Sequence, residues 1–274
     1  ALPGRWPGSS WAVVNCNIGQ GDGLVINLGK NEALVIDVGP DAKLMDECLK
    51  DLGVKKIPLL VISHFHADHV HGLDGALFGR DIANVWVSNL DQPKSDRDTA
   101  YLLLGATPIH QATAGETIEF KSAKGPVKIE VLWPTKLQSN FEALPGDGSA
   151  INNSSIALLI TVGNLRIFTA GDLEPPAQEA LLALTKIEPI DIYKVSHHGS
   201  SFQFPPLMSA LQPKIALISV GAGNSYGHPA PSTVNALEAL GAKTLRTDQD
   251  GAISVDGALK IRTKRNDWWN ISWG

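Results

Sequence analysis

Three imidazoles and a carboxylate fall within six residues in His64-Phe65-His66-Ala67-Asp68-His69, directly after the apolar run Ile57 to Ile62. Ligand positions n, n+2, n+4 and n+5 cannot share one face of a regular helix, where neighbours recur at three or four residues, but a loop can converge them. Imidazole nitrogen and carboxylate oxygen suit divalent cations, so His64, His66, Asp68 and His69 are candidate metal ligands.

Two further apolar runs end in residues of the same kind. Asp172 follows Leu165 to Thr169 through Ala170-Gly171, and His197-His198 follows Ile190 to Val195, with Gly199-Ser200 behind. Alone, Asp172 would be an ordinary helix N-cap. Beside a histidine cluster it is the candidate bridging carboxylate, since an oxygen shared by two ions roughly 3.5–4 Å apart lets both act on one water. Adjacent His197 and His198 point to opposite sides if extended, so one is the expected ligand. His197 is the choice, and His198 is left to contact phosphate, donate a proton or support the ligands.

Other polar residues admit two readings each. His228 in Tyr226-Gly227-His228-Pro229 serves catalysis or substrate contact, or caps a turn. Asn153, in the pair Asn152-Asn153, and Asp22, in Gly19-Gln20-Gly21-Asp22-Gly23, are candidates for metal or substrate contact, with turn formation as the alternative. The glycine spacing there is no dinucleotide fingerprint, because no helical pattern follows it. His71 and His110 are taken as ordinary loop residues.

The elements that position these residues alternate. Strands are expected at Trp11 to Asn17, Gly23 to Leu28 and Asn31 to Val38, a helix at Asp41 to Leu52, and a buried strand at Ile57 to Ile62 that leads into the histidine loop. The alternation continues through a helix at Asp96 to Leu104, strands at Val127 to Trp133 and Ser154 to Val162, and helices at Pro175 to Leu184, Pro205 to Leu211 and Pro231 to Leu240. Thr135 to Asn153 reads as a long loop, and Ala252 to Val255 with Ala258 to Arg262 as a closing hairpin. The order fits an α/β four-layer sandwich of two packed sheets with helices outside each.

Composition excludes several classes. The 274 residues are 43% hydrophobic, enough for a substantial core, and 23 Lys+Arg against 28 Asp+Glu exclude a globally basic nucleic-acid binder. Cys16 and Cys48 are the two cysteines, so neither a disulfide-rich scaffold nor a cysteine-ligated zinc is available, while one bridge stays open. No apolar run approaches the roughly 20 residues that span a bilayer. The Pro/Gly-rich opening, residues 1–10, is expected to be a linker or truncated edge, residues 11–262 the domain, and residues 263–274 a Trp-rich tail. Lys260, Arg262 and Lys264 alternate on one side of a strand-like segment, and Arg265, Trp268 and Trp269 follow; cations with aromatic rings are a candidate surface for single-stranded DNA. The alternative is a solvated strand whose tryptophans cover the core.

His64-x-His66-x-Asp68-His69, with Gly171-Asp172 and the His197 segment, closely resembles the metallo-beta-lactamase superfamily. Asn17 to Gly23, Asp37-Val38-Gly39, Asn153-Ser154-Ser155, His197-His198-Gly199-Ser200 and Tyr226-Gly227-His228-Pro229 look like the carboxy-terminal domain of the ComEC/Rec2 family of DNA-uptake channel proteins. That resemblance implies two divalent ions, manganese or zinc. His64 and His66 would hold the first, Asp68, His69 and His197 the second, and Asp172 would be shared. Asn153 stands near where the superfamily has a further histidine for the first ion, leaving occupancy of that site open. The implied activity is a phosphodiesterase that degrades the non-transported DNA strand by attack of metal-activated water. Asp68 would orient the water, and His198 or His228 would contact phosphate or protonate the departing oxygen. The implied setting is the extracytoplasmic side of the cell membrane, attached to the rest of a channel protein. A DNA-guiding or channel-assembly module, and a hydrolase of a small ester, thioester or cyclic nucleotide, are the alternatives.

Overall fold

Pleating sends successive strand residues to opposite faces, and along this chain both faces are apolar. Val13, Leu24, Ile26, Leu34 and Ile36 enter one buried cluster, while Val14, Val25, Ala33 and Val35 enter another. In the later half, Ile192, Ile215 and Leu217 join the first cluster, and Tyr193, Ala216 and Ile218 a third. Strands buried on both sides need a layer on each side, which the computed structural model, describing residues 6–122, 125–136 and 149–265, provides.

Among the described residues the strands form a ten-stranded and a seven-stranded sheet. The main path of the first runs Ile261–Lys264, Ala252–Asp256, Trp11–Asn15, Leu24–Gly29, Glu32–Ile36, Leu60–Ile62, Val85–Val87 and Ile109–Gln111. The second runs Lys243–Arg246, Ile215–Ile218, Ile192–Lys194, Leu165–Thr169, Ala157–Val162, Val127–Trp133 and Thr117–Phe120. Each sheet is antiparallel in one part and parallel in the other. The first cluster is the seam between the sheets. The second packs helices Ala42–Asp51, Leu73–Leu77 and Lys94–Leu104 on the first sheet, and the third packs Pro175–Leu184, Pro205–Leu211 and Pro231–Ala239 on the second. These are the four layers expected from the sequence.

Helix starts follow local chemistry. Asp41 caps the first helix by accepting from the Leu44 N–H at 3.0 Å. The three helices on the second sheet each begin at a proline, whose missing N–H costs nothing in the first turn.

Parallel strands need crossover connections, and in such sheets ligands gather at the strands' carboxyl ends. Leu60–Ile62, Leu165–Thr169, Ile192–Lys194 and Ile215–Ile218 each deliver a polar loop there. The strand expected from Ser154 starts at Ala157, because Ser154 and Ser155 bend away: Ser88 Oγ donates to the Ser154 carbonyl at 2.8 Å, and Ser155 turns to the histidine loop. Ile109–Gln111 is a strand the sequence pattern did not announce, with His110 paired to Glu116 at 2.5 Å. Within the expected Thr135 to Asn153 loop, Ser149–Asn152 is a short helix, and residues 137–148 lie outside the described residues. Cys16 and Cys48 form a disulfide that ties the first strand's exit to helix Ala42–Asp51. No helix among the described residues is long and apolar enough to cross a membrane.

Candidate metal centre

The histidine run is half loop and half helix. Leu60–Ile62 leads into buried Ser63 and His64, the chain stays extended through His66, and the single helical turn Ala67–Val70 then presents Asp68 and His69. The opposite sheet approaches closely at Gly171, whose φ is +48° and where a Cβ would stand 2.6 Å from Ser63 Oγ. A glycine is required both by that backbone and by that contact.

His197 and His198 depart from the extended geometry the sequence implied. Their φ angles are 49° and 51°, left-handed conformations costing non-glycine residues about 1–2 kcal/mol each. The twist brings both rings to one cavity instead of opposite sides. His198 goes deep, with Nε2 at 3.1 Å from Asp68 Oδ2 and 3.6 Å from Asp172 Oδ2. His197 stays at the wall, its Nε2 3.9 Å from Asp172 Oδ2 and its Nδ1 3.6 Å from Glu174 Oε1.

Donor atoms of Asp68, His69, Asp172 and His198 lie within 4.8 Å of one another, and those of Asp22, Asp37 and His69 form a second such group. His64 stands beside them, its ring centroid 4.1 Å from that of His69 and 4.7 Å from that of His66. His64 Nε2, His69 Nε2 and Asp172 Oδ1 are buried without a directed hydrogen bond. Buried polar atoms rarely go unpaired, so this donor set fits a divalent cation.

The opposite side of each ring is pinned. His69 Nδ1 is 2.9 Å from Asp37 Oδ2, and Asp37 also accepts from the Ser63 N–H at 2.7 Å and Ser63 Oγ at 2.8 Å. That contact makes Nδ1 the lasting donor, so the proton a cation would displace is the one on Nε2, 3.2 Å from Asp172 Oδ1. His64 Nδ1 meets Ser155 Oγ at 3.1 Å, and the same hydroxyl accepts from the Asp172 N–H at 3.1 Å. His198 Nδ1 lies 3.1 Å from the Ser219 carbonyl and 3.2 Å from Asp22 Oδ1. Asp22 is itself paired at 2.6 Å with Lys194, a lysine only 2% exposed. The Lys194 ammonium already satisfies the Asp22 corner of the second donor group.

Charge in the centre is strongly polarised. Burial works against ionising Asp172, but His69, His198 and His197 outweigh it and hold its carboxyl well below the usual range. Burial likewise opposes ionisation of Asp22, and Lys194 and His198 bring it down to about 2. Burial would depress His198, yet Asp172 and Asp22 push it up to about 10; His69 is raised for the same kind of reason by Asp172, Asp37 and Asp68. Burial dominates at His64, which is driven well below its ordinary value, and at His228, lowered to about 4 with help from His197 and His198. Imidazolium protons thus balance the carboxylates here, the role a bound cation would take over.

The centre opens into a cavity of about 610 Å³. His66, Asp68, Asp172, His197, His198 and His228 all line it. Asn152 lines it too and bonds His66, whereas the Asn153 amide oxygen accepts from the Glu174 N–H at 3.1 Å and braces the loop. Asp22 is buried behind His198. The basic strand is elsewhere: Lys260, Arg262, Lys264 and Arg265 do not line the cavity, Arg262 lies 3.8 Å from Asp256, Arg265 3.6 Å from Asp250, and Lys264 bonds Asp51. Trp268 and Trp269 lie outside the described residues. Sequence reasoning assigned no role to Asp37, Ser155 or Lys194. The signals were present, since Asp37 ends an apolar run just as Asp172 does, and Lys194 is a lone charge inside another.

Comparison with known proteins places this geometry. ComE operon protein 3 of Bacillus subtilis is 26% identical over 224 residues, covering 81% of this chain and 27% of that protein. Competence protein ComA of Neisseria gonorrhoeae is 26% identical over 190 residues, covering 67% of this chain and 27% of that protein. The chain therefore spans about a quarter of the length of these relatives. CmlA, a diiron beta-hydroxylase from Streptomyces venezuelae, shares the fold with a TM-score of 0.55 at 12% identity, covering 91% of this chain and 55% of that one. The model of the metallo-beta-lactamase superfamily matches residues 17–204, a span holding every aspartate and histidine of the two donor groups. With the four layers, the histidine run and the buried Asp172 in place, the chain belongs to the metallo-beta-lactamase superfamily.

Proposed function

We propose that the chain is a metal-dependent hydrolase acting on a phosphoric ester. The observation that carries this is a set of buried ligand atoms without hydrogen bonds, His64 Nε2, His69 Nε2 and Asp172 Oδ1, beside an open cavity that His66, Asp68, Asp172 and His198 line. His64, His66 and Asp172 would hold one divalent ion, and Asp68, His69, Asp172 and His198 the other, manganese or zinc. Bound there, the ions would supply a water of lowered pKa and neutralise charge growing on the ester.

The chain's own groups prepare that chemistry. Asp37 and Ser155 fix which nitrogen of His69 and His64 faces the centre, and Asp22 with Lys194 does so for His198. His198 takes the ligand role given to His197 from sequence, because the left-handed turn carries it deeper. Asp68, the more exposed carboxylate, is placed to orient the attacking water. His228, neutral near pH 7 at a pKa of about 4, offers one N–H to a phosphoryl oxygen.

Two observations bear on the substrate. The competence relatives support DNA, and with it degradation of the non-transported strand during uptake beside the rest of a channel protein. The Cys16–Cys48 disulfide supports the extracytoplasmic side for that setting, since such bridges persist in oxidising compartments. The cavity favours a compact ester instead. Its described lining holds no Lys or Arg and several carboxylates, whereas a polyanion is ordinarily gripped by cationic side chains along its backbone.

Metal-free protein reloaded with Mn²⁺ or Zn²⁺ and offered end-labelled and circular, single- and double-stranded DNA alongside bis(p-nitrophenyl) phosphate and cyclic nucleotides separates these readings. Phosphodiester turnover that disappears in Asp172→Asn supports the hydrolase. Turnover confined to DNA selects the nuclease, and turnover confined to small esters removes it. DNA binding without turnover of any ester, at confirmed metal occupancy, would overturn the hydrolase in favour of a DNA-guiding module.

A further inference from the structure

We infer that Tyr226 and His228 form a stacking platform for an unpaired nucleobase, or a comparable aromatic ring, carried next to the scissile phosphate. The inference rests on the phosphoric-ester reading above and names what that substrate bears beside its phosphate. Tyr226 lines the metal cavity and is 72% exposed, so its ring is open to a ligand entering the site. It stacks on His228 with centroids 5.9 Å apart and planes inclined by 28°. His228 in turn stacks over His198, 6.3 Å away at 26°. Three rings thus step from solvent to the proposed metal ligand His198.

The platform is held in place by its own loop. Asn224 Nδ2 donates to the Gly221 carbonyl at 3.1 Å and to the His228 carbonyl at 2.8 Å, while its Oδ1 accepts from the His228 N–H at 3.2 Å. The loop base is anchored by Gln20 Oε1, accepting from the Gly221 N–H at 3.0 Å, and by Thr247 Oγ1, accepting from the Val220 N–H at 2.7 Å. A loop held this way keeps the His228 ring and the Tyr226 position beside it in place, which lowers the backbone ordering that laying a second ring there would cost.

Chemistry selects the occupant. With no Lys or Arg among the described lining residues, affinity beyond the metal–phosphate contact must come from another source. An exposed aromatic face offers stacking, which is tolerant of base identity and available to every nucleotide. Bases inside a duplex already stack on their neighbours and are closed to it. The expected ligands are therefore single-stranded ends and small nucleotide esters rather than paired DNA.

The test compares binding of thymidine 5′-phosphate and 2-deoxyribose 5-phosphate by calorimetry, using manganese-loaded and metal-free wild type, Tyr226→Ala and Tyr226→Phe. Base–aromatic stacking leads to a preference of about tenfold for the nucleotide. The ratio of the two affinities should survive Tyr226→Phe and fall to near one in Tyr226→Ala. Equal affinities in the wild type, or a ratio untouched by Tyr226→Ala, would overturn the platform. Hydrolysis of thymidine 5′-(p-nitrophenyl phosphate), followed in parallel, keeps the two proposals apart. Base preference without turnover sinks the hydrolase alone, and turnover without base preference sinks the platform alone.

Discussion

Changing Asp37 to Asn replaces one atom of a buried carboxylate and should reverse the job of a histidine. Asp37 accepts three hydrogen bonds, from the Ser63 N–H at 2.7 Å, Ser63 Oγ at 2.8 Å and His69 Nδ1 at 2.9 Å. A carboxylate only accepts, so His69 must keep a proton on Nδ1, and when a cation displaces the second proton of the imidazolium the nitrogen it frees is Nε2, 3.2 Å from Asp172. Asparagine keeps one accepting oxygen for Ser63 and turns an NH₂ group toward Nδ1. The imidazole can answer only by accepting there, which moves its proton to Nε2 and removes the lone pair meant for a cation. The backbone at this position, φ 58°, is one that asparagine tolerates, so the fold is not the variable under test. Loss of such an orienting partner typically weakens metal binding 10–100-fold, about 1.4–2.8 kcal/mol. Competition titration against a chromophoric chelator measures it, with the melting temperature of metal-free protein as control. Wild-type metal affinity in a folded Asp37→Asn protein would refute the reasoning.

Three other outcomes follow from the same geometry. His198 titrates near 10 in the folded metal-free protein against an ordinary 6.5, so its imidazolium stabilises the fold fully below pH 6.5, and that stability fades as pH rises through about 10. Melting temperatures of metal-free protein should fall across that window, and calorimetry in buffers of different ionisation heat should show proton release on metal loading. Lys194→Met strands the Asp22 carboxylate among buried groups and should cost about 3–5 kcal/mol in urea unfolding; adding Asp22→Asn should restore part of it, and a neutral single variant would contradict the pairing. Gly171→Ala forces a Cβ to within 2.6 Å of Ser63 Oγ on left-handed backbone, so metal affinity and denaturation midpoint should both drop, and retention of either would show that the two loops need not meet there.

The layers were legible because strands with both faces apolar, separated by helix-length amphipathic segments, admit few packings. The histidine run and Asp172 were legible because each closes an apolar run. What sequence could not show was backbone twist. His197 and His198 were assigned opposite directions on the premise of an extended chain, and two consecutive left-handed residues turn both toward the cavity. Asn153 looked like a candidate contact from its position, but its amide braces the Glu174 N–H, and its neighbour Asn152 faces the site. Asp37 and Lys194 act through partners 32 and 172 residues away, at His69 and Asp22, a link made by the register of the sheets and invisible to local pattern. The basic strand carried an electrostatic expectation, yet Arg262, Lys264 and Arg265 each face a carboxylate, which lowers the charge they present.

Metal-free protein titrated with Mn²⁺ or Zn²⁺ while hydrolysis of a simple phosphodiester is followed tests the metal-hydrolase assignment most directly. Turnover should be absent at the start, rise in step with ion binding to about two per chain, and fail in Asp172→Asn. Hydrolysis that persists under chelation, or full ion occupancy with no turnover of any phosphodiester, would contradict it.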